Sequence, residues 1–101
     1  ASDVYKRQEL FRTKGELLLL EGASDAASVA EDHFGQALDW ARKQGALSWE
    51  LRAATSVARL LRDQDRSADA ASVLRPVYDR FTEGFGTADL KAAKALLDAP
   101  R

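Results

Sequence analysis

An all-α fold is predicted for this chain: helix hairpins stacked side by side and closed by one further helix. Three observations predict it. Apolar residues recur at spacings of three and four along most of the 101 residues, which is the period of one face of an α-helix. Prolines are confined to Pro76 and Pro100, so little interrupts those periodic stretches. The pentapeptide Asp25-Ala26-Ala27-Ser28-Val29 returns as Asp69-Ala70-Ala71-Ser72-Val73, and each copy opens one helical pattern that follows another. A unit of some forty residues written twice fits paired helices, which stack because a single pair cannot bury its own apolar face.

The first helix is predicted over Glu9 to Glu21, where Leu10, Phe11 and Leu17 to Leu20 sit among good helix formers and Gly22 supplies a stop. Four consecutive leucines cover nearly the whole circumference, so this helix is expected to be buried on more than one side. Ser24 or Asp25 is placed to cap a second helix, whose stripe is Val29, Ala30, Phe34, Ala37 and Ala41. It is expected to end near Gly45, with Arg42 and Lys43 complementing the helix dipole. The third runs from about Leu47 to Gln64 on a stripe of Leu47, Leu51, Ala54, Val57, Ala58 and Leu61. Ser67 begins the fourth, with Ala70, Val73, Leu74, Val77, Tyr78 and Phe81 inward, and Pro76 is expected to kink or interrupt it. Gly84-Phe85-Gly86 makes a turn, after which Thr87 and Asp89 cap a short fifth helix through Leu97.

These positions resemble tetratricopeptide repeats, which place a small residue midway along the first helix of each pair and an alanine, an aromatic and another alanine along the second. Gly15, Leu18, Ala30, Phe34 and Ala37 take those places in one unit, and Ala58, Leu61, Ala70, Leu74 and Val77 in the next. Lys14 stands where that pattern has leucine, and the first turn is about three residues longer. The alanine-aromatic-alanine register aligns the second helices at an offset of 40, against 44 for the pentapeptide, and the difference is about one helical turn. The resemblance implies a right-handed superhelix of two hairpins, residues 9–45 and 46–84, with 85–101 as closing helix and tail.

More closely, Ser48-Trp49-Glu50-Leu51-Arg52-Ala53-Ala54 through Leu60, then Tyr78 to Phe85 and Asp89 to Leu97, resemble the C-terminal region of large bacterial signalling proteins. Those carry a nucleotide-cyclase or DNA-binding module and a P-loop ATPase ahead of a tetratricopeptide tail. The resemblance implies a cytoplasmic, non-catalytic fragment for protein interaction or intramolecular regulation, with no catalytic residue in this part. Asp3 to Gln8 resembles a peptide that recurs at the ends of fragmentary translated reads, where sequencing adapter is read as coding sequence. Residues 1–8 are therefore set aside as a non-native leader, and the natural chain is expected to continue upstream.

Composition narrows the function further. A formal charge of −1 argues against a dedicated nucleic-acid binder, although the halves differ: residues 1–50 hold 6 Lys and Arg against 9 Asp and Glu, and residues 51–101 hold 9 against 7. Cysteine is absent, which removes disulfides, thiolate catalysis and Cys-ligated zinc. The longest apolar run, Leu17 to Leu20, falls far short of the roughly 20 residues a membrane span needs.

No cofactor or metal is expected. His33 stands alone between Asp32 and Phe34, and Gly84-Phe85-Gly86-Thr87 reads as an ordinary turn rather than a phosphate loop. Trp40 and Trp49, which bracket the junction between the hairpins, are expected to pack there. The candidate protein-binding residues on the third helix are Arg52, Arg59 and Arg62, at spacings of 7 and 3, and the resemblance implies that Arg12 and Glu16 of the first helix line the same groove. Glu9, Leu19 and Leu20 are the further groove positions of that helix. In the resembled family first helices line the groove, so this mixed face suits an acidic peptide or another domain of the same chain. The competing reading of a charged stripe is a solvated surface. Self-association through the leucine-rich first helix is the alternative function.

Overall fold

The computed structural model describes residues 2–21 and 26–99. Among them it contains five α-helices and no strand: α1 Ser2–Glu21, α2 Ala26–Gln44, α3 Leu47–Asp63, α4 Ser67–Tyr78 and α5 Ala88–Asp98. The expected stop at Gly22 and cap at Ser24 or Asp25 lie outside the described residues. α1 begins at Ser2, so the helix extends through most of the segment set aside as a leader.

Helix α3 is the hub, because it packs against all four of the others. That is why its buried residues, Glu50, Leu51, Ala53, Ala54, Thr55, Ser56, Ala58, Leu60 and Leu61, come from more than one face. Helix α2 lies against α1 and α3, and α4 lies against α3 and α5. α1 meets α3 and α3 meets α5, so these three form one row, with α2 and α4 behind it. The smallest dimension, 20 Å, equals two helix diameters of about 10 Å, which is what a two-layer slab requires.

Small residues make the close packing possible. Ala30, Phe34 and Leu60 form one core cluster, with Leu19 and Val57 against it. A larger one joins Ala37, Leu51, Ala54, Ala58, Leu61, Ala70, Leu74, Val77, Leu90 and Ala93. Of the inward positions expected on α2, α3 and α4, Ala30, Phe34, Ala37, Ala41, Leu51, Ala54, Ala58, Leu61, Ala70, Leu74 and Val77 are buried, while Val29, Leu47, Val57, Val73, Tyr78 and Phe81 are half-buried. Burying each Leu, Val or Phe contributes about 1.5–3 kcal/mol before the entropy of ordering is charged against it.

Two expectations need correction. α4 was expected to reach Phe81 but ends at Tyr78, and Pro76 neither breaks it nor precedes its end by more than two residues. A proline in the last turn forfeits only its own bond to the carbonyl of Ser72, which is exposed, while Ser72 Oγ donates back to Ala68 O at 3.0 Å. The chain then tightens, with Arg80 N–H donating to Val77 O and Phe81 N–H to Tyr78 O, and Phe81 still packs on the core. The leucine run is not buried all round either. Leu17 and Leu20 are 55% and 83% exposed, and only Leu19 of the four joins the core cluster around Phe34.

Candidate binding face

Helices α1, α3 and α5 present their polar sides to one another along a single face. On α1, Glu9, Arg12 and Glu16 are spaced by three and four residues and therefore share a side. Arg12 donates through Nε and Nη2 to the Glu9 carboxylate at 3.0 and 2.7 Å, and its Nη1 reaches across to Ser56 Oγ on α3 at 3.1 Å. Glu16 Oε1 stands 3.7 Å from Arg12 and 3.5 Å from Arg59, buried and without a hydrogen bond. Arg52 Nε donates to Asp89 of α5 at 2.9 Å, and its Nη1 lies 3.6 Å from Glu9. One guanidinium thereby touches acids on both neighbouring helices of the row, and it also lies 5.0 Å over the Trp49 ring.

The hydrogen bond to Glu9 raises the Arg12 pKa above its ordinary value, against the opposing effect of partial burial, with the charges of Glu9, Glu16 and Asp89 adding to the rise. The guanidinium is a permanent cation in this setting.

Between the helices lies a cleft of about 210 Å³ lined by Arg12, Arg52, Thr55, Ser56, Arg59, Asp89 and Ala92. Glu9 and Glu16 do not line it. Thr55 Oγ1 is turned back to donate to Leu51 O at 2.7 Å, whereas Ser56 Oγ accepts from Arg12.

Four of the five candidate residues, Arg12, Glu16, Arg52 and Arg59, are brought together here. Arg62 is not. Its Nη1 donates to Leu96 O at 3.1 Å and Ala99 O at 3.4 Å, so it serves the C-terminal end of α5 and lines a different cleft with Ala58, Ala71, Leu74, Leu96 and Leu97. The spacing of three from Arg59 turns it about 60° further round the helix, enough to face α5 instead of α1. Leu19 packs inward and Leu20 outward, so neither belongs to the face.

Two contributors were not singled out from the sequence. Ser56 lies four residues after Arg52 and three before Arg59, and that shared side was its only signal. Asp89 read as a cap, yet it is Thr87 whose hydroxyl accepts from Leu90 N–H, at 3.4 Å, leaving the Asp89 carboxylate for Arg52. Trp40 and Trp49 are half-buried at the hairpin junction, around a crevice shared with Glu9, Arg12, Ala37 and Ala53. Phe85 packs on Tyr78 with ring centroids 5.9 Å apart and remains 47% exposed.

Among the described residues no three His, Asp or Glu side chains converge on a point, and no helix is long and apolar enough to cross a membrane. No protein-family model, curated protein or solved structure matches the chain.

Proposed function

We propose that this chain is a non-catalytic helical scaffold for protein interaction or intramolecular regulation, with tetratricopeptide-like hairpins α1–α2 and α3–α4 closed by α5. The right-handed superhelix implied by the resemblance belongs to this proposal, as does its place in the C-terminal region of a cytoplasmic signalling protein. The observation that carries it is the row of α1, α3 and α5, whose polar sides meet along one face. A face built on packed helices is ordered before a ligand arrives, so binding does not have to order it. Arg52 and Arg59, both about half exposed, offer an acidic peptide charge-assisted hydrogen bonds.

The test is titration of the protein with a glutamate-rich peptide at several salt concentrations. The Arg52→Ala, Arg59→Ala double variant is expected to bind more weakly and with a shallower salt dependence. Equal affinities and slopes would remove the face from consideration.

A second reading is favoured by one observation: Leu10, Leu17 and Leu20 expose 67%, 55% and 83% of their surface along one side of α1. Self-association through that side would cover them. Sedimentation equilibrium over a wide concentration range decides it, because Leu17→Glu should abolish any dimer and a monomer throughout rejects the reading.

A further inference from the structure

We propose that two copies of the chain pair through α1 in parallel and in register, with Leu10, Thr13, Leu17 and Leu20 each facing the same residue of the partner. The pairing rests on the self-association reading and gives that association its geometry.

Exposure along α1 follows a heptad. Leu10, Thr13, Lys14, Leu17 and Leu20 are exposed, and the described residues between them are buried or half-buried. Leu10 and Leu17 lie seven residues apart and Leu20 three further on, so with Thr13 they fill positions a, d, a and d of a coiled-coil seam about 15 Å long. Among the described residues the other large apolar side chain left exposed is Phe85, and that ring already packs on Tyr78.

Matching of layers is the first argument for a parallel pair. In register, every position faces its own copy, which gives three leucine layers and gathers the two Thr13 hydroxyls into one layer, where they can hydrogen-bond each other. Antiparallel helices set a positions against d positions. Their fullest overlap faces Leu10 with the partner's Leu20 and Thr13 with the partner's Leu17, each layer occurring twice, so two leucine layers remain and both hydroxyls are pressed against leucine. A hydroxyl desolvated without a partner is costly.

Charge is the second argument. The ion pairs of α1 belong to Glu9, Arg12 and Glu16, and Lys14 has none among the described residues. Parallel pairing brings Lys14, at position e, beside the partner's Glu9, at position g, on both flanks of the seam. Glu9 accepts two hydrogen bonds from Arg12, and a carboxylate has acceptor sites beyond those. Antiparallel pairing brings Lys14 beside the partner's Lys14, like against like. A seam of four layers buries well under the roughly 800 Å² per partner of a standard interface, so the dimer is weak and concentration-dependent.

The experiment exploits the absence of cysteine from the chain. Thr13→Cys keeps every leucine of the seam, and in a glutathione redox buffer it reports whether positions 13 of two copies face each other. A covalent dimer on non-reducing electrophoresis is expected, whereas Arg75→Cys, on the exposed side of α4, should stay unlinked. A mixture of Leu10→Cys and Leu20→Cys should give no mixed dimer, because in the parallel pair those positions stand about 15 Å apart along the axis, beyond the roughly 7 Å between Cα atoms that a disulfide spans. Lys14→Gln should weaken association a few-fold in sedimentation equilibrium, the scale of two exposed ion pairs, and would strengthen it in an antiparallel pair.

If the unsubstituted chain dimerises while the mixed Leu10→Cys and Leu20→Cys dimer forms and Thr13→Cys links no more than Arg75→Cys, the parallel pairing is overturned and self-association stands. Dimerisation with neither link also overturns it and moves the contact to another face. A chain that is monomeric at every concentration overturns the pairing and self-association together, and assigns the leucines to a different partner.

Discussion

Gly15 decides how closely the first two helices approach. A Cβ built there would come 2.6 Å from Cε1 of Phe34, whose side chain is fully buried. In an open helix, replacing glycine by alanine gains roughly 0.5–1 kcal/mol, whereas forcing an extra carbon into a closed core costs about 1–3 kcal/mol. Sterics should win. Gly15→Ala is therefore expected to lower the denaturation midpoint, and Phe34→Leu, destabilising alone, should cost less in its presence; stabilisation by Gly15→Ala would contradict the packing described. A turn residue carries the opposite sign. Gly45 and Asp65 end α2 and α3 in the same way, at φ of 65° and 60°. In both, the next residue donates back across the turn, Ala46 N–H to Ala41 O at 3.0 Å and Arg66 N–H to Leu61 O at 2.8 Å. Only one of the two positions has the residue that suits this backbone. Asp65→Gly should stabilise the protein by about 0.5–1 kcal/mol in urea denaturation, since it removes the left-handed penalty on a side chain.

Three elements meet at Glu50, in the first turn of α3. Its carboxylate is 3% exposed and accepts from Arg80 Nη1 at 2.9 and 3.2 Å, with Arg42 at 3.5 Å. The end of α2 and the segment after α4 are thereby tied to the start of the hub helix. Both arginines are about half exposed, so the pairs are worth well under a fully buried bridge. The acid is the costly member, because it stays buried if its partner goes. Arg80→Ala is expected to destabilise by about 2 kcal/mol and Glu50→Gln by about 1 kcal/mol, because the neutral amide keeps an acceptor for Arg80 and sheds the charge. Chemical denaturation of the two variants checks the order, and a larger loss in Glu50→Gln would refute it.

For the molecule as a whole, the ion pairs of the α1, α3 and α5 face tie the three members of one row together. Each is partly exposed and contributes at most about 1 kcal/mol, so their effect is collective and sensitive to screening. Between about 0.01 and 1 M salt the Debye length falls from roughly 30 to 3 Å. The melting temperature should fall across that range in the native chain and fall less in an Arg52→Met, Arg59→Met variant; parallel salt responses would show that the pairs contribute nothing. Arg12 adds no pH dependence near neutrality. With its pKa raised in the folded state, its contribution is complete below the unfolded value and is lost only as pH rises through the raised one, in strongly alkaline solution. Helix number and most of the inward stripes of α2 to α4 were legible from spacing, because a 3.6-residue period acts within one segment, and the small residue at Gly15 from the resemblance. Burial even repeats under both offsets between the hairpins: Ala26 and Ala30 are each buried like Ala70, since four residues restore the same side. The site was legible only in part. Periodicity grouped Arg52 with Arg59 and Arg12 with Glu16, and the resemblance implied that the two helices line one groove, but the partnership of Ser56 and Asp89, and the departure of Arg62 to the end of α5, depend on how three helices are set against one another. The all-helical character and the choice of inward faces were thus determined by the sequence through local geometry. Which charges meet and which leucines stay in water were decided by tertiary packing, because those are distances between residues up to 44 positions apart that no local period encodes.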